Sequence, residues 1–244
     1  MKAFGRTDKG IVRRDNQDHF QIASSPDGKI IICVVCDGMG GAKAGNVAST
    51  MAAETFISAL TDQPMTLQDE TLTNDVISDA AMAANRVVHE MAKSSGDYKG
   101  MGTTLVGAVV REKKASVINV GDSRAYLISG GKMRQITRDH SLVEDMVYRG
   151  DITRDEAQKH PNRNLITRVI GTEPRVARDV FEVELKRGDR LLFCSDGLTN
   201  LVSDDEILKE LKNDKDVEIC CDMLLTLALA KGGTDNITAL MIQV

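Results

Sequence analysis

Five aspartates in this chain could act together. Asp18, Asp37, Asp122, Asp196 and Asp235 each stand where an apolar, strand-like run begins or ends, and Asp37-Gly38, Gly121-Asp122 and Asp196-Gly197 put glycine alongside. A carboxylate at a strand mouth, beside a residue small enough to let a backbone carbonyl come close, supplies hard oxygen donors. Asp-Gly is also common in turns, and for any one of these residues that reading would prevail. Five such placements favour a shared cation site. His19, His89, His140 and His160 show no zinc-ligand spacing, and His89 falls in a helical pattern. An all-oxygen donor set points to Mg²⁺ or Mn²⁺ rather than zinc.

The opening hairpin sharpens the argument. Phe20–Ala23 and Ile30–Cys36 read as strands around Ser24-Ser-Pro-Asp-Gly28. If Asp27-Gly28 is a two-residue turn, paired residues have numbers summing to 55, and Asp18 faces Asp37 directly. Like charges so opposed are destabilising and call for a cation. A longer loop or a bulge would shift this register. Cys33 and Cys36, three apart in the same run, point to opposite faces. They are expected to be buried thiols, not a redox or zinc pair.

The elements that must position these carboxylates follow from periodicity. Val47, Met51, Thr55, Phe56 and Ala59 share one helical face, and Val76, Ile77, Ala80, Ala81, Ala84, Val87, Val88 and Met91 form a second stripe. Thr103–Arg111, Lys114–Val120, Arg124–Ser129 and Lys132–Gln135 read as strands, the last two joined at Gly130-Gly131. The stretch from Ser141 to Gly171 is polar and mixed, an insertion with a capping box at Thr153 and Glu156. Strands return at Arg178–Glu184 and Arg190–Ser195. Ser203 and Glu206 cap a helix, and another runs from Val217 through Ala228 to Gly232-Gly233. Ile237–Val244 closes the chain as a strand. This order does not alternate as βαβ units do, so an α+β fold of antiparallel sheets covered by helices is expected. No linker or repeat is visible, and residues 1–244 read as one domain.

Composition excludes several classes. The chain has 244 residues, 42% hydrophobic, with no Trp and a formal charge of −5. That suits a sizeable aliphatic core and argues against nucleic acid as a partner. An acidic protein repels anionic substrates unless it carries cations. The polar N-terminus has no signal-peptide core, and the longest apolar run, Ile30 to Cys36, cannot span a bilayer. A cytoplasmic protein without membrane attachment is expected, and the five cysteines suit that compartment. The stretch Asp37-Gly-Met-Gly-Gly-Ala-Lys-Ala-Gly45 fails as a dinucleotide fingerprint and as a P-loop. It reads as a tight turn into the first helix.

Taken in order, Arg13-Arg-Asp-Asn-Gln-Asp18, Asp37-Gly-Met-Gly-Gly41, Gly102-Thr-Thr104, Gly121-Asp-Ser-Arg124, Ser195-Asp-Gly197 and Gly233-Thr-Asp-Asn236 resemble the motif series of the PPM family, the type-2C metal-dependent protein phosphatases. Each motif is weak alone; the ordered set is specific and covers essentially the whole chain. The segment His160-Pro-Asn-Arg-Asn-Leu-Ile-Thr-Arg168 resembles the flap of compact bacterial members. The resemblance implies a central β-sandwich flanked by antiparallel helix pairs, a four-layer αββα arrangement, with a two-metal centre at one end. By motif, Asp37 would bridge both metals, the Gly38 carbonyl would bind one, and Asp196 and Asp235 the other. Asp18 would act largely through bound water, and Arg13 would grip the substrate phosphate. In bacterial relatives the aspartates matching Asp122 and Asp196 hold a third, weaker metal. The expected activity is hydrolysis of phosphoserine and phosphothreonine in proteins, opposing a cognate Ser/Thr kinase, by a monomer.

Two departures stand out. Gln17 replaces an acidic residue common in the family, and Met39 replaces the His to which many eukaryotic members give a proposed general-acid role. The donor of a proton to the leaving alkoxide is then a metal-bound water or a flap residue. Arg13 could hold two phosphate oxygens with its planar fork, whereas Arg14, on the other side of an extended chain, reads as a solvated charge. A non-cleaving phosphoprotein binder and a two-metal nuclease are the rivals. The intact aspartate set opposes the first and the acidic balance opposes the second.

Overall fold

The computed structural model describes residues 1–62, 73–211 and 216–244. Two antiparallel sheets lie at its centre. One has the order β1-β11-β10-β7-β8, from strands Lys2–Asp8, Ile237–Gln243, Arg190–Cys194, Arg124–Ser129 and Lys132–Gln135. The other has the order β2-β3-β5-β6-β9, from Asp18–Ser24, Ile31–Met39, Leu105–Val110, Lys114–Val120 and Asp179–Glu184, with the short β4, Gly102–Thr103, added beside β3.

Side-chain alternation along β3 shows the layering. Ile31, Cys33 and Val35 face the gap between the sheets and pack with Val106, Val117, Leu191, Phe193 and Leu240. Ile32, Val34 and Cys36 face the other way, against Phe56 and Leu60 of α1 (Gly41–Thr61) and Ile77, Ala84 and Val88 of α2 (Thr73–Ser94). On the far side Tyr126, Leu192, Cys194 and Met241 pack against Leu224 and Ala228 of α7 (Val217–Ala230) and Ile207 of α6 (Asp204–Leu211). These clusters make the expected αββα layers. Both faces of β3 are covered, so its sequence is a continuous apolar run rather than an alternating one. The two cysteines three apart lie on opposite faces, and all five are buried with no disulfide between them.

The hairpin register is as expected: Asp18 lies opposite Asp37. The turn itself is longer. The Ser25 N–H donates to the Ile30 carbonyl and the Gly28 N–H to that of Ser25, so Pro26 to Lys29 form the loop. That loop is centred between Asp27 and Gly28, like a two-residue turn, and the pairing is unchanged.

Strand β1 had no sequence signal. It is a half-exposed edge strand whose partner is β11, from Lys2 opposite Gln243 to Asp8 opposite Ile237. This pairing brings the loop carrying Arg13 beside Asp235. The insertion holds two helices, α3 (Leu142–Arg149) and α4 (Arg154–Lys159), where the capping box predicts only the second. Ser141 caps the first through the Glu144 N–H, and Gly150 ends it in the left-handed conformation. Ser141 also bridges Ile166, which ties the two limbs of the insertion together near its start. Among the described residues no helix is long and apolar enough to cross a membrane.

Candidate metal centre

Asp37 sits near the end of β3 with its peptide group clamped. Its N–H donates to Thr104 Oγ1 at 2.9 Å, and its carbonyl accepts from the Thr104 N–H at 2.9 Å and Thr103 Oγ1 at 2.8 Å. Thr104 Oγ1 in turn lies 2.7 Å from Ser123 Oγ, next to Asp122. One hydroxyl network therefore links the turns that carry Asp37 and Asp122. A side chain at Gly38 would overlap the Gly45 carbonyl, and one at Gly197 the Asn236 carbonyl, so the glycines beside Asp37 and Asp196 permit close backbone packing.

Asp18, opposite Asp37, is buried beneath the cleft at 4% exposure. Its Oδ2 accepts from Ser195 Oγ and Thr238 Oγ1, both at 2.7 Å. Its Oδ1 is buried with no hydrogen-bond partner among the described residues. Asp196 opens the short helix α5 (Asp196–Thr199) directly after β10, and Asn200 Nδ2 donates to its Oδ2 at 2.9 Å. Asp235 precedes β11 and takes the Arg13 guanidinium on Oδ2 at 2.7 Å. Asn236 ties down the Arg13 loop: its Oδ1 accepts from the Gln17 N–H, and its Nδ2 donates to the Lys9 and Asp15 carbonyls.

Arg13, Asp37, Gly38, Asp122, Asp196 and Asp235 line one cleft of about 540 Å³, with Asn164 and Ile166 of the flap at its edge. Arg14 borders it too and is exposed, in keeping with a solvated charge. Residues 9–17 form turns and bends, not an extended strand, so neighbouring side chains do not alternate between faces. A groove of about 710 Å³ continues from the cleft, sharing Asp122, Asn164 and Asp196, between the flap and the α5–α6 surface.

The carboxylates repel one another. Burial, reinforced by the charges of Asp196 and Asp235, raises Asp18 to about 7 against its two hydroxyl donors. Burial and the Asp196 and Asp139 charges raise Asp122 to about 8. Asp37 lies well above the carboxylate range through burial and then Asp18; Asp196 is raised by burial and then Asp235. Among the described residues the side chains do not close into a ready-made cage of three or more metal-ligating groups. Arg13 stands on Asp235, and hydroxyl donors stand on Asp18, where a cation would otherwise supply positive charge. The donor chemistry nonetheless fits hard divalent ions: all oxygen, mutually repelling, with one buried carboxylate oxygen unpartnered.

Sequence reasoning did not single out the hydroxyls beneath the site. Thr104, Ser195 and Asn16 lie inside quoted motifs, but Thr238 and Thr7 carried no signal. Thr7 Oγ1 is 2.7 Å from Thr238 Oγ1, and Asn16 Nδ2 donates to Thr7 at 2.9 Å. Their relevance depends on β1 lying beside β11.

Comparison with known proteins shows what the whole chain is similar to. Residues 11–231 match the family described as protein phosphatase 2C. The serine/threonine phosphatase stp of Listeria innocua is 38% identical over 243 residues, covering 100% of this chain and 96% of that one. The solved structure of the serine/threonine phosphatase Stp1 from Staphylococcus aureus superposes with a TM-score of 0.92 at 38% identity, over 100% of this chain and 94% of the other. The catalytic domain of the phosphatase PstP, solved in complex with two manganese ions, aligns with a TM-score of 0.83 at 32% identity, over 98% of this chain and 96% of that chain.

Proposed function

The chain belongs to the protein phosphatase 2C family and is a metal-dependent protein serine/threonine phosphatase, and from that premise we propose that the Asp18–Asp37 end of the sandwich is its catalytic centre. The observation that carries this reading is the opposed pair itself: Asp18 and Asp37 lie opposite each other, and Asp18 Oδ1 is buried without a hydrogen-bond partner among the described residues. Asp37, the Gly38 carbonyl, Asp196 and Asp235 would hold two Mn²⁺ or Mg²⁺ ions. Asp122 with Asp196 would hold a third, more weakly. Asp18 would contribute from below, largely through water, by the oxygen that accepts no bond among the described residues. Bound there, the cations lower the pKa of water and neutralise the charge of the phosphoryl group.

The chain's own groups do the rest. Arg13 holds the phosphate through its planar fork. Its ion pair with Asp235 is exposed, at 54% and 34%, and such pairs contribute only about 0–1 kcal/mol. A phosphate dianion can therefore take the guanidinium from it. The clamp on the Asp37 peptide keeps that carboxylate in place while substrate binds and leaves. Ile11, Val12, Met39 and Leu165 are large apolar side chains left exposed beside Arg13, in the cleft and on the flap. Together with the adjoining groove they suit a polypeptide better than a small phosphate ester.

Residues 1–244 act as one catalytic unit, with residues 141–171 as its flap. Phosphoproteins made by a cognate Ser/Thr kinase are the proposed substrates, and a monomer in the cytoplasm the proposed setting. Five buried cysteines with no disulfide between them support a reducing compartment. The test is phosphate release from a phosphoserine peptide. Turnover should require Mn²⁺ or Mg²⁺ and cease with chelator. Activation by zinc alone would overturn the oxygen-donor assignment.

A further inference from the structure

His140 lies between β8 and the flap, 1% exposed. It holds both polar backbone atoms of Gly121. The Gly121 N–H donates to His140 Nδ1 at 3.1 Å, and the His140 N–H donates to the Gly121 carbonyl at 2.9 Å. Gly121 has little room to readjust: its φ is +111°, and a Cβ there would come 2.6 Å from Thr104 Cγ2. Asp122 is the next residue, so the bonds to Gly121 set where its carboxylate points from.

The other edge of the ring faces the flap. Because Nδ1 accepts a hydrogen bond, the neutral imidazole carries its proton on Nε2, which lies 3.2 Å from Asp179 Oδ2 and donates to it. Burial lowers the His140 pKa and so favours this neutral form. Arg168, on the returning limb of the flap, donates to Asp179 Oδ1 at 2.8 Å. The Thr167 N–H donates to the His140 carbonyl at 2.8 Å, and Ser141, the next residue, bridges Ile166. Asn119 Nδ2 reinforces the joint, donating to the carbonyls of Gly121 and Arg138.

We propose that His140 is the positioning residue that sets the Asp122 carboxylate relative to the flap, one ring nitrogen holding the Gly121–Asp122 turn and the other holding the flap through Asp179 and Arg168. The proposal rests on the reading of Asp122 as a carboxylate of the metal centre. Its consequence is that metal affinity at Asp122 and order in the flap share one side chain, although His140 lines neither the cleft nor the adjoining groove.

The test separates the two arms. His140→Ala removes both. His140→Asn keeps an acceptor where Nδ1 was and leaves nothing to reach Asp179. Asp179→Ala cuts only the flap arm at a partly exposed position. Calorimetric titration of the full chain with Mn²⁺ alone reads the first arm, and hydrogen exchange at the Leu142, Leu165 and Thr167 amides reads the second. His140→Ala should weaken the weakest Mn²⁺ site by roughly 10–100-fold, the usual cost of losing an outer partner of a ligand, and exchange should quicken at all three amides. Adding His140→Ala to Asp122→Asn should weaken metal no further than Asp122→Asn alone. His140→Asn should recover the parent's Mn²⁺ affinity while the flap amides stay fast, and Asp179→Ala should show the same split. Additive losses in the double variant, or His140→Asn matching His140→Ala in metal affinity, would overturn the proposal. So would parental affinity in His140→Ala, and that result leaves the phosphatase reading intact. A parent chain that binds no Mn²⁺ overturns that reading and the metal arm together.

Discussion

Asp37 and Arg13 sit in the same cleft, and substitution separates their roles. Asp37→Asn keeps the shape of the side chain and every backbone bond to Thr103 and Thr104, so the chain should fold. Turnover at saturating Mn²⁺ should fall by about a hundredfold or more, equivalent to about 2.7 kcal/mol of transition-state stabilisation. The same variant should melt at or above the parent's temperature in chelator at pH 8. Burial and the neighbouring Asp18 disfavour the ionised Asp37 carboxylate, and Asn removes that charge. Near-parental turnover, or a clear drop in metal-free melting temperature, would count against this account of Asp37. Arg13→Lys keeps the charge but loses the fork. Its kcat/KM should drop by roughly tenfold, about 1.4 kcal/mol, with Mn²⁺ affinity preserved. Lost Mn²⁺ binding in calorimetry would instead make Arg13 an organiser of the centre through Asp235.

At the scale of elements, the flap is the part whose role is most open to test. The sequence marks its limits by a change to polar, mixed composition and marks α4 by its capping box. It does not mark α3, whose cap lies on the boundary of the insertion. Arg154 is 74% exposed but pairs with Glu144 across α3 and α4 at 3.1 Å. Arg149 and Leu165 are the better probes: both are exposed, and Leu165 adjoins the cleft residues Asn164 and Ile166. The double variant Arg149→Ala with Leu165→Ala should lower kcat/KM for a phosphoprotein several-fold more than for a small aryl phosphate. The ratio of the two specificity constants in variant and parent is the measurement. Equal losses on both substrates would leave the flap as a structural insertion.

The whole molecule carries the cost of its own centre. Asp18 at about 7 and Asp122 at about 8 bind protons more tightly folded than unfolded, where the ordinary value is 3.8. Between about pH 4 and pH 8 the folded state therefore holds the extra protons, and stability without metal must fall as pH rises through that window. Cations bound to the ionised carboxylates reverse the penalty. Melting temperature in chelator should decline from pH 5 to pH 8, and the gain on adding Mn²⁺ should widen over the same range. At a hundred times the dissociation constant that gain is roughly 5–10 °C for a chain of this size. Parallel curves with and without metal would show that these carboxylates do not meet the ion.

How much of this was legible depends on the distance along the chain between the groups concerned. The α+β order of elements, the helix faces, the opposed pair Asp18 and Asp37 and the ordered aspartate motifs were readable from the sequence, and the αββα layering followed only from the family resemblance those motifs carry. Each rests on local periodicity, on a hairpin whose register is set within twenty residues, or on short patterns of residue type. Even the longer turn left that register unchanged, because it is centred on the same residues. The tertiary structure alone decided the pairing of β1 with β11, and with it the approach of Arg13 to Asp235 and of Thr7 to Thr238. It alone decided that Ser195 and Thr238 lie beneath Asp18, and that His140 lies between the Asp122 turn and the flap. Those contacts lie between parts of the chain far apart in sequence. No single-chain periodicity records them, because they come into being only when the two sheets close on their common core.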